Sequence, residues 1–142
     1  MKRKVWITVS AKARYEDGKK EKTLYTAAGT MEDIPMGWRF TYAEPEESGM
    51  AGTATLVEVA GRSVELIRLG TVRNHLSFSP GQAFESLYET PYGKMNMEVH
   101  TGSVRSRFTN GGGLLELDYE LTAGGVRSER TLSLRVRPEE SK

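Results

Sequence analysis

A hydrolytic centre needs a nucleophile, a base within hydrogen-bond reach and a group that orients the base. His75 and His100 are the two imidazoles the chain offers as bases. His75 falls on the face of Arg73 and Ser77, opposite Val72, Asn74, Leu76 and Phe78, which is a solvated position on an alternating strand. His100 shares a face with Glu98 and Asn96. The segment Glu98-Val99-His100 sets a carboxylate beside an imidazole, as a metal centre would, but two ligands do not make a site, and a plain solvent face is the expectation. Glu116, Asp118 and Glu120 lie opposite Leu115, Leu117, Tyr119 and Leu121, on an outer face rather than in a cleft suited to glycosidic acid/base work. Gly111 to Gly113 lack the Lys-Ser/Thr and the strand-to-helix context of a phosphate loop, and read as a hairpin turn. With no cysteine there is no thiolate for catalysis or zinc and no disulfide framework. No catalytic residue, metal or cofactor is therefore predicted.

More informative are polar residues on apolar faces, because a buried polar group needs a partner or a purpose. Arg68 falls with Val64 and Leu66, Asn74 with Leu76 and Phe78, Ser86 with Phe84 and Tyr88, and Ser128 and Arg130 with Leu132, Leu134 and Val136. Two explanations stand side by side. Convergent polar groups in an apolar cup orient an acidic or amphipathic molecule; alternatively each arginine pairs with an inward carboxylate such as Glu89, or a bulge shifts the strand phase. The candidate ligand-binding set is Arg68, Asn74, Tyr88, Glu89, Tyr92 and Arg130. Tyr92 enters through Thr90-Pro91-Tyr92-Gly93, where Pro91 and Gly93 specify a rigid turn at a strand end, and its phenol serves either as a loop tether or as a polar gate. Met31, Met36 and Met50 suit either a plug or a lid that repacks over a guest.

The elements that must position these groups are strands. Apolar and polar residues alternate with period two, and Gly-containing turn signals recur about 8 to 20 residues apart. Val5, Ile7, Val9, Ala11 and Ala13 share one face, Asp17-Gly18 turns the chain, and a second strand is predicted around Thr23 to Ala28. Residues 29 to 51 are the least regular: Thr30 to Asp33 resemble a cap for one helical turn, and Glu44 to Gly52 read as loop. Arg105, Arg107, Arg135 and Arg137 are predicted to pair with Glu116, Asp118 and Glu120 across strands. Short antiparallel strands must hide their edges, so the expected fold is all-β: one antiparallel meander barrel of about eight to ten strands, with a two-sheet sandwich as the alternative. The 142 residues form one domain.

Val64-Glu65-Leu66-Ile67-Arg68-Leu69-Gly70, Leu76-Ser77-Phe78, Tyr88-Glu89-Thr90-Pro91-Tyr92-Gly93 and Leu117-Asp118-Tyr119-Glu120-Leu121 together resemble the bacterial YwiB-like family, a domain of unknown function. Arg68-x-Gly70 and Thr90-Pro91-Tyr92-Gly93 are the specific part of the likeness. The resemblance implies a calycin-like, lipocalin-type barrel in a cytoplasmic bacterial setting, and carries no activity with it.

Lys plus Arg number 20 and Asp plus Glu 19, so no global field favours nucleic acid. The basic start Met1-Lys2-Arg3-Lys4 leads into an alternating stretch rather than an apolar one, so neither an export signal nor a membrane span is expected, and a soluble cytoplasmic protein is. The functional expectation is a non-enzymatic barrel for a small acidic or apolar molecule. The alternative is an interaction module or homodimer using an apolar patch at Ile67 and Leu69. An enzyme ranks third.

Overall fold

Strict alternation dictates strands, and the computed structural model, which describes residues 2–139, contains ten. They are β1 (Lys2–Tyr15), β2 (Lys20–Ile34), β3 (Gly37–Ala43), β4 (Thr53–Ala60), β5 (Ser63–Gly70), β6 (Asn74–Phe78), β7 (Ala83–Thr90), β8 (Gly93–Thr109), β9 (Gly112–Ala123) and β10 (Val126–Pro138). One 3-10 turn at Glu46–Ser48 interrupts the β3–β4 connection. All ten strands join one antiparallel sheet in the order β6-β5-β4-β3-β2-β1-β10-β9-β8-β7. The sheet curls until its edges meet: the backbones of Arg73 and Glu89 exchange two hydrogen bonds of 3.0 and 2.9 Å. This is the meander barrel, nearly closed, rather than a sandwich. No helix among the described residues is long and apolar enough to cross a membrane.

The irregular stretch is more regular than its sequence suggests. Where a strand ending at Ala28 and a capped helical turn are predicted, β2 runs on to Ile34. Burial decides this: Met31 points inward opposite Phe40, both fully buried, while Glu32 points outward to Arg39 at 3.5 Å. A helical turn would pull Met31 out of the core, so tertiary packing overrides the local cap signal. Gly29 supports the extension, because a Cβ there would lie 2.5 Å from the Thr41 carbonyl oxygen. Met36 occupies the β2–β3 turn, 90% exposed with φ 70°, so neither it nor Met31 belongs to a lid.

The outer charge rows follow the prediction in part. Arg105 reaches Glu116 at 3.3 Å and Asp118 at 3.4 Å, but Glu120 pairs with Arg127 at 2.6 Å. Arg107 and Arg135 flank Leu114 from either side, and Arg137 lies opposite Trp6, so the register sets these three arginines away from the acidic row.

The barrel is filled at one end only. Ile7, Met31, Phe40, Phe78, Leu115 and Leu134 are fully buried, with the rings of Phe40 and Phe108 centred 4.8 Å apart. Toward the end capped by the β1–β2, β7–β8 and β9–β10 hairpins, the inward positions change to tyrosine, arginine, serine and methionine.

Candidate functional site

The register places inward polar groups on adjacent strands. Tyr42, Thr55, Arg68 and Asn74 are successive partners across β3, β4, β5 and β6, and Arg130 pairs with Tyr119, which pairs with Thr101, across β10, β9 and β8. Of these, Tyr42, Arg68, Tyr119 and Arg130 border a cavity of about 460 Å³. Arg68 and Arg130 border it together with Tyr15, Tyr25, Tyr42, Tyr88 and Tyr119. Leu66, Leu76, Leu121 and Leu132 supply apolar wall, and Ser48 and Met50 of the β3–β4 loop reach it. Of the three methionines considered for a lid or plug, Met50 alone borders the cavity.

Neither arginine forms an ion pair among the described residues; both are held by neutral groups. Arg68 Nη1 donates to Asn74 Oδ1 at 3.2 Å, while its Nε is buried without an acceptor. Asn74 Nδ2 donates to Ser86 Oγ at 3.1 Å and to the Leu87 carbonyl at 3.3 Å, so one buried amide both holds Arg68 and ties β6 to β7 where backbone pairing is sparse. Arg130 donates from Nε to Ser128 Oγ and from Nη2 to the Tyr15 hydroxyl, each at 3.0 Å. Tyr15 in turn donates to Glu21 Oε1 at 2.9 Å, in the exposed part of the hairpin end.

Behind the tyrosines lies a buried carboxylate, Glu44, which accepts from Tyr25 at 2.8 Å and from the Thr55 hydroxyl. Burial pushes the Tyr42 phenol up to about 12, with the Glu44 charge adding to the rise and Arg68 opposing it. Tyr25 is raised as well, chiefly by burial and then by Tyr42 and Glu44. Burial also raises Tyr119, against which Arg130 and Arg68 both act, so both guanidinium fields reach its hydroxyl.

Of the six candidate residues, Arg68, Tyr88 and Arg130 border the cavity, and Asn74 supports Arg68 beside it. Glu89 does not pair with either arginine; its backbone instead closes the seam with Arg73. Tyr92 sits at the tip of the predicted turn, where the Thr90 hydroxyl accepts from the Tyr92 N–H at 3.1 Å, but its side chain is 99% exposed and neither tethers the loop nor gates the cavity. A two-residue hairpin turn projects that position away from the barrel axis. Tyr25, Tyr42, Tyr119 and Glu44 were not singled out by sequence. The signal was the alternation Trp38, Phe40, Tyr42, Glu44, which carries the inward phase one step beyond the strand into what reads as loop.

Both histidines stand outside. His75 contacts Glu65 at 2.6 Å and His100 contacts Glu98 at 3.3 Å, each about half exposed. Among the described residues no three His, Asp or Glu side chains converge as metal ligands. A broader depression of about 780 Å³ lies along Lys12, Lys20, His100, Asp118 and Glu120. These side chains point outward into solvent; Tyr119 and Arg130 border this depression as well as the inner cavity, but only the inner cavity adds Arg68 and a leucine wall to them, which makes it the site with convergent chemistry.

Residues 7–134 match the family described as Domain of unknown function (DUF1934). The chain belongs to this family. Its fold is similar to that of the YwiB protein from Bacillus subtilis, whose crystal structure superposes with a TM-score of 0.87 at 17% identity, covering 98% of this chain and 94% of that one. No curated protein matches the sequence. The YwiB-like resemblance in the sequence is thus the right family, and it supplies the barrel without assigning the cavity a task.

Proposed function

We propose that this DUF1934 domain is a non-enzymatic, cytoplasmic binding barrel that holds one small acidic or apolar molecule in its interior. The observation that carries the reading is a cavity of about 460 Å³ bordered by two arginines, Arg68 and Arg130, that have no carboxylate partner among the described residues. Ligand cavities commonly measure roughly 300–1,000 Å³ and combine apolar walls with a few convergent polar groups. Fold stability alone does not call for such an arrangement, since a guanidinium held inside by neutral acceptors costs more than an apolar residue of similar size. The positions of His75 and His100 outside the cavity support binding over catalysis.

Native mass spectrometry of the protein purified from its own host tests this. A retained small molecule that disappears in Ala11→Phe, a change that fills the cavity, is the expected result. Retention unchanged by the filling residue would place the molecule elsewhere and overturn the reading.

One observation favours a second reading. Leu69 is 56% exposed on the outer wall, where Ile67 and Leu56 are cross-strand neighbours, and a second copy of the chain would cover this patch. Sedimentation showing only monomer at high micromolar concentration would dismiss it.

A further inference from the structure

Deepening the interior-ligand reading and resting on it, we propose that the ligand is an aromatic acid carrying one negative charge, its oxyanion held between Arg68 and Arg130 beside the Tyr119 hydroxyl and its rings among tyrosine and methionine side chains.

The head group follows from charge. Arg68 is held by the neutral Asn74, and Arg130 by the neutral Ser128 and Tyr15, so both half-buried guanidiniums carry a charge that no carboxylate among the described residues contacts directly. Arg130 and Tyr119 are direct cross-strand partners on the same inner face, and Arg68 borders the same cavity. Tyr119 makes no hydrogen bond through its hydroxyl to another described residue, which leaves that O–H to donate to an anion while the arginines flank it; the downward pull of both guanidiniums on its pKa agrees with this placement. Arg68 Nε, buried without an acceptor, would gain one if the guanidinium turned toward an incoming oxyanion.

The number of charges follows from the buried groups. Two guanidiniums stand against one buried carboxylate, Glu44, whose oxygens are already engaged by Tyr25 and Thr55, and Glu21 lies out in solvent at the hairpin end. The balance inside is one positive charge, which a single oxyanion neutralises. A dianion would leave an excess negative charge at the same half-buried site, a neutral molecule would leave both arginines unanswered, and a cation would be repelled.

The tail follows from the lining. Five tyrosine rings and the thioethers of Met50, Met95 and Met97 border the cavity. Aromatic edges and faces, and sulfur against ring edges, reward a flat aromatic guest more than a flexible chain of equal area.

The test is calorimetric titration of the full chain at pH 8 with 2-naphthoate, 2-naphthol, 2-naphthyl phosphate, 2-naphthylmethylamine and decanoate. 2-Naphthoate should bind at least about tenfold more tightly than each of the others. Arg68→Met and Arg130→Met should each weaken 2-naphthoate by about tenfold or more and leave 2-naphthol unchanged, while Arg130→Lys should restore part of the loss. Tyr119→Phe, which keeps the ring and the packing, gives a second variant if an arginine substitution unfolds the barrel, and should weaken 2-naphthoate alone. Equal binding of 2-naphthol overturns the anion, tighter 2-naphthyl phosphate overturns the single charge, and equal decanoate overturns the aromatic tail; each leaves the interior-ligand reading standing. Binding by none of the five overturns the aromatic acid, and the fate of the broader reading is then read separately from the native mass spectrum and its Ala11→Phe control.

Discussion

Asn74 accepts from Arg68 Nη1 at 3.2 Å with one end of its amide, and with the other it donates to Ser86 and to the Leu87 carbonyl across the barrel seam. One side chain therefore couples the cavity wall to barrel closure. Asn74→Ala removes these bonds at once and leaves the guanidinium with a second unsatisfied donor, so it should cost about 2–4 kcal/mol by urea denaturation. Amide exchange should quicken in β6 and β7 while β1 and β10 keep their protection. Uniform exchange across the barrel would refute a local closure role.

The buried phenols make stability sensitive to high pH. Tyr42 titrates near 12 in the folded chain against an ordinary value of 10.0, and Tyr25 is also raised. A raised folded value means that the native state keeps its proton where the unfolded chain loses it. Stability should thus be full below pH 10 and fall as pH rises from 10 toward 12, with a shallower fall in Tyr42→Phe. Unfolding free energy measured along a pH series, with phenolate absorbance followed in parallel, checks this. Phenolate absorbance showing all six tyrosines ionised near pH 10 in a still-folded protein would contradict it.

Tyr92→Phe should change nothing that depends on the hydroxyl. With the side chain 99% exposed, unfolding free energy should stay within about 0.5 kcal/mol of the parent, and ligand retention in native mass spectrometry should be unaffected. A loss of either would show that the turn folds back onto the barrel in solution.

Gly70 ends β5 at φ 141°, and a Cβ there would come within 2.2 Å of the Gly52 carbonyl oxygen. Backbone lies on both sides of that contact, so no side chain can move to make room. Gly70→Ala should lose about 2–4 kcal/mol in a thermal or urea melt, whereas Gly18→Ala, also at positive φ but in open space, should lose less. Equal losses at the two positions would remove the steric explanation.

Period-two alternation, the glycine turns and the need to hide strand edges were enough to read an all-β meander barrel and to send Arg68, Asn74, Tyr88 and Arg130 inward, because the face of a strand residue is a local property of its parity. Three things were not local. Whether β2 continued past Ala28 depended on Phe40 arriving opposite Met31, a contact between two strands. Whether the arginines met carboxylates depended on register around the barrel, which put Glu89 in the closing bridge and Glu44 behind Tyr25 rather than against a guanidinium. Whether the interior was solid or hollow depended on how side chains of ten strands summed across the axis: phenylalanines met and filled one end, while at the other the curled sheet held tyrosines and arginines too far apart to close the gap. Parity along one strand sets direction, but distance across a barrel is fixed only when every strand is in place.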